Sequence, residues 1–383
     1  MKKLLVLLLA LAMVFAFAAC SDDTATDNTG DTNTGDNTGD EAVDPIALSV
    51  STTQIQGSIM SDSMEKWLDE LEARTDGKVV VDQVVYGGTL IAAADQLTGL
   101  GAGVADISFF STTATSEQLP FSNALIPSYL TNFQGGIAAM NEVYANYDNV
   151  REEIEQYNIT NLFWLNGNQQ AIMTNWEIDI MSDKPFNNKN MFSAGTNPHH
   201  FCQNLGGIPV TMTIADIYSG MQKGTTDGIT VCGGYSLESN AFYEVVDYVY
   251  DHRNCGTGLW IGFNMNTDTY NSLPDDVKAV IEELRTWIID IDNQHWIDYT
   301  NSAYDLAVEN GATLIQLTEE EAAHWNDLAQ PESMWEANLV KAEEAGHDNV
   351  REIMDFLKGE LLAYQEAHPQ TLMEAYFEYA ESK

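Results

Sequence analysis

Cations are scarce in this chain. Lysine and arginine together number 16 of 383 residues against 58 aspartates and glutamates, a formal charge of −42 at neutral pH. That balance excludes nucleic acid as a partner, because each phosphate contact needs a cation the chain lacks. It favours a soluble protein kept monomeric by self-repulsion. Chemistry-bearing motifs are missing as well. There is no Gly-x-Ser-x-Gly elbow, no CxxC, no HExxH and no P-loop, and no carboxylate pair stands out as an acid/base couple. Nothing points to an enzyme, a cofactor or a metal. The one metal-like cluster is His199, His200 and Cys202. Adjacent histidines on a helix point roughly 100° apart and do not readily share an ion. Beyond residue 19 no stretch is long and apolar enough to cross a bilayer.

What is present begins with an address. Lys2-Lys3 form a positive start, Leu4–Phe17 is uninterruptedly apolar, and Ala18-Ala19-Cys20 offers a small-residue cleavage site. Residues 1–19 therefore read as a signal peptide. Cys20 behind two alanines is similar to a bacterial lipobox, whose thiol is diacylated and anchors the chain to the outer face of the cytoplasmic membrane. Removing Lys2 and Lys3 takes the charge from −42 to −44. Residues 20–44 cycle through Asp, Asn, Thr and Gly without one aromatic or basic side chain. That composition cannot bury enough surface to offset its ordering entropy, so it reads as a disordered acidic tether. Asp31, Asn33 and Asp36 are out of order for a calcium loop. With Cys20 lipidated, an oxidising compartment permits one disulfide among Cys202, Cys232 and Cys255, and the sequence leaves the pairing open.

Two segments 121 residues apart are near copies: Gly99-Leu100-Gly101-Ala102-Gly103-Val104-Ala105-Asp106 and Gly220-Met221-Gln222-Lys223-Gly224-Thr225-Thr226-Asp227. Each follows an amphipathic helical run and precedes a short β-type run. A glycine just past a helix takes the left-handed conformation at little cost, and the Asp then sits in the turn into a strand. The same unit occurring twice predicts two similar α/β lobes facing each other across a cleft, since open α/β sheets bind ligands beyond the carboxyl ends of their strands.

Periodicity fills in the rest. Ile46–Thr52 alternates like a half-buried strand, and Met64, Trp67, Leu68 and Leu71 make one helix face. Asp62 and Glu65 are spaced as a capping-box variant at that helix's start. Val79–Tyr86 reads as a strand and residues 89–100 as a helix. Helices are expected at Ala138–Tyr147, Val150–Tyr157 and near Pro198–Leu205. Strands are expected at Ile159–Leu165, Ala171–Thr174, Asn190–Phe192 and Gly311–Leu317. From Pro274 a helix runs to Asn310, long enough to lie across both lobes.

Five stretches, in order, are similar to the substrate-binding receptors of TRAP (tripartite ATP-independent periplasmic) transporters, the DctP type. They are Trp67–Val81 (WLDELEARTDGKVVV), Gly87–Asp106, Asn204–Asp227 (NLGGIPVTMTIADIYSGMQKGTTDG), Ser272–Leu284 (SLPDDVKAVIEEL) and Ala307–Leu317 (AVENGATLIQL). The resemblance covers roughly residues 45–345. It implies a two-lobed periplasmic-binding-protein-like fold, with hinge strands and a long helix spanning both lobes. The lobes would close on a small solute and deliver it to a small and a large membrane subunit. On this reading lobe I comprises residues 45–165 and 256–283, and lobe II residues 166–255 and 284–383. A similar receptor serving an ATP-driven importer or a sensor, or an extracellular enzyme on the same scaffold, remains an alternative.

The resemblance also marks a departure. The family's carboxylate-binding Arg falls on Phe192 when aligned by Gly195, and a second Arg falls near Asn168-Gln169. A ligand-contacting Asn falls near Val231-Cys232. Without a guanidinium to fork a carboxylate, the expected solute is neutral or cationic, or an anion held by Arg253 just before the hinge, unless Arg253 is simply solvated. Strand ends place the candidate ligand residues at Thr52, Gly87, Gly88, Phe109, Phe110 and Ser111 in the first lobe. In the second they are Trp164, Asn166, Asn168, Gln169, Phe192, Gly195, Thr213, Val231 and Tyr235, with the aromatics serving either the ligand or the core.

Overall fold

The strands alternate with helices in the order the sequence implies, and they form two sheets rather than one. The computed structural model describes residues 44–115, 117–126, 135–166, 171–193, 196–253 and 260–383. The expectations on residues 1–43, including Cys20 and the tether, lie outside the described residues. In chain order the strands are β1 (Ile46–Thr52), β2 (Val79–Val85), β3 (Ile107–Ser111), β4 (Ile159–Asn166), β5 (Ala171–Thr174), β6 (Asn190–Phe192), β7 (Ile208–Val210), β8 (Gly228–Cys232), β9 (Tyr248–Asp251), β10 (Trp260–Asn266) and β11 (Thr313–Gln316). The first sheet has the order β2-β1-β3-β10-β4 and the second β11-β9-β5-β8-β6-β7. Each holds a parallel trio followed by an antiparallel neighbour.

The helices that cover these sheets are α1 (Ile59–Arg74), α2 (Gly135–Asn146), α3 (Thr196–Asn204), α4 (Ile214–Lys223), α5 (Asp275–Glu309), α6 (Glu319–Ala329), α7 (Pro331–Glu344), α8 (Val350–Ala367) and α9 (Leu372–Glu381). The apolar face of α1 buries Met64, Trp67, Leu68 and Leu71 against Phe163 and Phe263. Its start differs from expectation. Ser58 is the N-cap, accepting from Ser61 N, and Asp62 sits within the first turn. The run 89–100 is also shorter than expected: a tight 3₁₀ turn at Ala93–Asp95 leads into a helix of Gln96–Gly101.

The twin segments fold alike. Gly103 and Gly224 take φ of +74° and +70°. Asp106 N donates to Ser49 O at 3.0 Å while Asp106 Oδ2 accepts from Ser49 N at 2.9 Å. In the second sheet Asp227 N donates to Asn190 O at 2.7 Å and Asp227 Oδ2 accepts from Asn190 N at 2.9 Å. Each Asp thus clips the start of its own strand to the neighbouring parallel strand, satisfying two edge groups at once.

Helix α5 spans about 52 Å at 1.5 Å per residue over its 35 residues. Val277, Ile281, Leu284 and Ile288 belong to the first sheet's core, and Ala303, Tyr304 and Ala307 to the second's. Between them Trp296 joins Ile59 and Leu372 in a small cluster. The sequence assigns residues 284–383 to the second lobe, and the packing of that stretch is divided between the two sheets. Trp335 at one end of α7 packs with the second sheet, while Leu339 and Ala342 pack with the first. Helix α8 then buries Val350, Ile353, Met354, Leu357 and Leu361 on the first sheet, and α9 returns Met373 and Tyr376 to the second.

Candidate functional site

Topology fixes where the two sheets meet. The carboxyl end of β4 in the first sheet is joined to the start of β5 in the second by residues 167–170 alone. Five peptide steps reach at most about 18 Å. Ala171 at the start of β5 pairs with Cys232 at the carboxyl end of β8, so the carboxyl ends of β4 and β8 are tethered near each other. A second crossing runs from Asp251 at the end of β9 to Trp260 at the start of β10. Trp260 pairs with Asn166, the last residue of β4. Both crossings therefore tie the edges where ligands sit in open α/β sheets.

The side chains at these edges divide sharply. Phe109 and Phe110 are both 1% exposed and face opposite sides of the sheet, in two different core clusters. Phe192 is 2% exposed among Met173, Ile217 and Ile229, so it is core too. Thr52 is spent on structure: its Oγ1 donates to Phe109 O at 3.0 Å and accepts from Gln54 N at 3.0 Å. Gly87 and Gly88 take φ of +68° and +67° after β2, and their N–H groups donate to Gln54 O and Thr52 O, both at 2.9 Å. Thr213 is an exposed residue before α4, donating to Asp216 Oδ2 at 2.6 Å. Tyr235 packs edge-on against Trp296 at 5.4 Å, and Ser111 is half-buried at the end of β3. The expectations on Asn168, Gln169 and Gly195, and on the side chains of Asn166 and Val231, lie outside the described residues.

Arg253 has structural partners. Its Nε donates to Leu317 O at 2.7 Å and its Nη2 pairs with Glu374 in the first turn of α9. The guanidinium therefore holds the C-terminal helix to the second sheet. Beside it Asp251 accepts from Arg253 N at 2.9 Å, and burial pushes its carboxyl up to about 6. His252 is 1% exposed, with its ring between Phe201 and Trp325 at centroid distances of 5.4 and 6.1 Å. Burial holds that imidazole down to about 4, so it is neutral at pH 7.

Sequence reasoning placed Trp164 at the edge and missed its companions. Trp164 and Trp260 are each 0% exposed and share a buried cluster with Phe110, Trp164 lying edge-on to Tyr144 at 5.0 Å, yet each has an indole N–H that has no hydrogen-bond partner. Thr112 Oγ1, Ser193 Oγ and Asn197 Oδ1 are buried and unpartnered as well. Such atoms are uncommon in folded proteins, where buried polar groups are nearly always satisfied. Trp164 is held in place by Asn141 on α2, which donates to Trp164 O at 3.2 Å and accepts from Trp164 N at 3.1 Å. Gly262, its neighbour across on β10, makes room for the ring, since a Cβ there would lie 3.1 Å from Trp164. The available sequence signal was register: Trp260 opens the strand that follows the second crossing.

Among the described residues none of the buried polar side chains is a lysine or arginine. Cys202 is buried and free, and burial pushes its thiol up to about 12. His199 Nε2 lies 3.2 Å from Thr211 Oγ1. Among the described residues no three His, Cys, Asp or Glu side chains are grouped to hold a metal, and no helix is long and apolar enough to cross a membrane.

With this geometry in hand, similarity to known proteins becomes informative. The family model for bacterial extracellular solute-binding proteins, family 7 (DctP), matches residues 50–337. A C4-dicarboxylate-binding periplasmic protein DctP from Rhodobacter capsulatus is 25% identical over 130 residues, 33% of this chain and 38% of that one. The chain thus aligns with well under half of that relative's length. A TRAP periplasmic solute binding protein from Desulfovibrio salexigens, solved as an open complex, superposes with a TM-score of 0.74 at 23% identity. It covers 84% of this chain and 97% of its own. A second, from Roseobacter denitrificans with bound β-D-glucuronate, gives a TM-score of 0.63 at 17% identity over 82% of this chain and 99% of its own. At those identities the two structures establish the shared fold.

Proposed function

The chain belongs to the bacterial extracellular solute-binding proteins of family 7, and on that premise we propose that it is the solute receptor of a TRAP-type secondary transporter. It captures a small organic solute between its two sheets and hands it to a small and a large membrane subunit. Cys20 carries the lipid that anchors it, and the acidic tether holds the folded part off the membrane. It works as a monomer without a cofactor and performs no covalent chemistry.

The observation that carries this reading is the double crossing. Two short connections tie the carboxyl ends of β4 and β8 and the start of β10 together, while α5 and α7 each pack on both sheets. Such an arrangement is a hinge beside a cleft, and solute binding shifts an open–closed equilibrium about it. The test is uptake by vesicles holding a small and a large TRAP membrane subunit. Solute should accumulate only when the receptor is added and without ATP. Uptake that requires ATP, or that ignores the receptor, contradicts the proposal and favours an ATP-driven importer.

A further inference from the structure

We propose that the solute is an uncharged molecule rich in hydroxyl or carbonyl oxygens, bound against Thr112, Trp164 and Trp260 of the first sheet and Ser193 and Asn197 beyond β6 of the second. The inference rests on the receptor reading and adds the chemical class of what is received.

Register brings the first three together. Ile261 pairs with Ser111 and Trp260 with Asn166, so Thr112, Trp260 and Asn166 stand abreast at one edge of three adjacent strands. Trp164 lies two residues back from Asn166, on the same face by strand alternation. Ser193 follows the last residue of β6, and its N–H is engaged by Val210 O at 3.1 Å, leaving the hydroxyl as the free group. All five residues are less than a tenth exposed. Thr112 follows the last residue of β3, Trp260 opens β10 and Ser193 follows β6, so these three stand at the edges that the two crossings join.

The chemistry of those atoms selects the ligand. An indole N–H donates and cannot accept, so whatever meets Trp164 and Trp260 must bring acceptor oxygens. Hydroxyls of Thr112 and Ser193 take either role, and Asn197 Oδ1 asks for a donor. An ammonium or guanidinium ligand carries donors only and leaves both indoles unpaired. A carboxylate carries acceptors but needs a counter-charge once desolvated. Among the described residues no lysine or arginine is buried to supply one. The chain's five arginines, Arg74, Arg151, Arg253, Arg285 and Arg351, are each paired with carboxylates away from these atoms. The histidine nearest the crossing, His252, is enclosed by Phe201 and Trp325. A neutral polyol, sugar, nucleoside or amide satisfies donors and acceptors together and needs no cation.

The experiment uses the full mature chain and matched probes: sugars and polyols, nucleosides, and primary amides, each beside the carboxylate and the amine of the same skeleton. Thermal melting ranks them and calorimetry gives affinities. Uncharged members should give the largest shifts, and Thr112→Val and Trp260→Phe should each weaken the best of them roughly five- to tenfold. Should Trp260→Phe fail to fold, Thr112→Val alone carries the site assignment. Carboxylates or amines giving the largest shifts would overturn the ligand class and leave the receptor reading standing. No shift from any probe would overturn both. An uncharged ligand indifferent to both substitutions would overturn the assignment of the site.

Discussion

A Gly-apolar-x-x-Gly-x-x-Asp segment serves both lobes, and the two copies differ in what each Asp side chain holds besides its neighbouring strand. In the first lobe Asp106 Oδ2 also accepts from Ser49 Oγ at 2.7 Å, and Oδ1 accepts from Thr269 Oγ1 at 3.0 Å. Thr269 belongs to the chain's second passage through that lobe, just after β10. In the second lobe Asp227 has Lys189, 3.6 Å away and a third exposed, as its further partner. The shared part is the clip between parallel strands. The divergent part shows that the first lobe closes around chain returning from the second, whereas this corner of the second lobe is locally complete. Beyond the clip the lobes diverge again: the first presents two indoles and a threonine, the second a serine and an asparagine.

The comparison can be broken at its strongest point. Asp106→Ala removes charge-assisted bonds to Ser49 and Thr269 and should cost about 3 kcal/mol. Asp227→Ala, with one such bond and a partly exposed ion pair, should cost about 1.5 kcal/mol. Urea denaturation of each variant reads the difference, and equal losses would mean that the bonds to the returning segment contribute nothing. A smaller effect sharpens the shared half. Gly103 and Gly224 both lie in the left-handed region, and a Cβ at either would meet nothing within 4 Å. Gly103→Ala and Gly224→Ala should therefore each cost about 1 kcal/mol, from backbone strain alone. Unequal costs would show that one turn is held by something its copy lacks.

Much of the scaffold was legible because its signals are local. Strands β5 and β6 occupy the spans expected from the sequence, and the proline-led helix α5 begins directly after Pro274. The errors came where two signals competed or where contacts are long-range. Asp62 has the spacing of a cap, yet Ser58 makes the bond because its extended backbone aims the hydroxyl at Ser61 N. Trp335, Leu339 and Ala342 show a helix face, but nothing local says that its two ends cover different sheets. Site residues suffered most. Alternation tells which face a strand residue points to, and it cannot rank faces when both are covered, as for Phe109 and Phe110. Arg253 looked free in sequence because its partner, Glu374, is 121 residues away. Thr112, Trp260 and Ser193 carry no motif, and only strand register brings Thr112 and Trp260 abreast.

The central claim is that the two carboxyl edges face each other and close on a solute. Ile55, 74% exposed, lies just past the carboxyl end of β1 in the first sheet, and Ile214, 51% exposed, opens α4 just past β7 of the second. Fluorescent probes placed at these two positions in the full chain report their separation directly. The distance should shorten when a solute that raises the melting temperature is added to saturation, and it should return when the solute is removed. A separation that does not change at saturation would contradict the account.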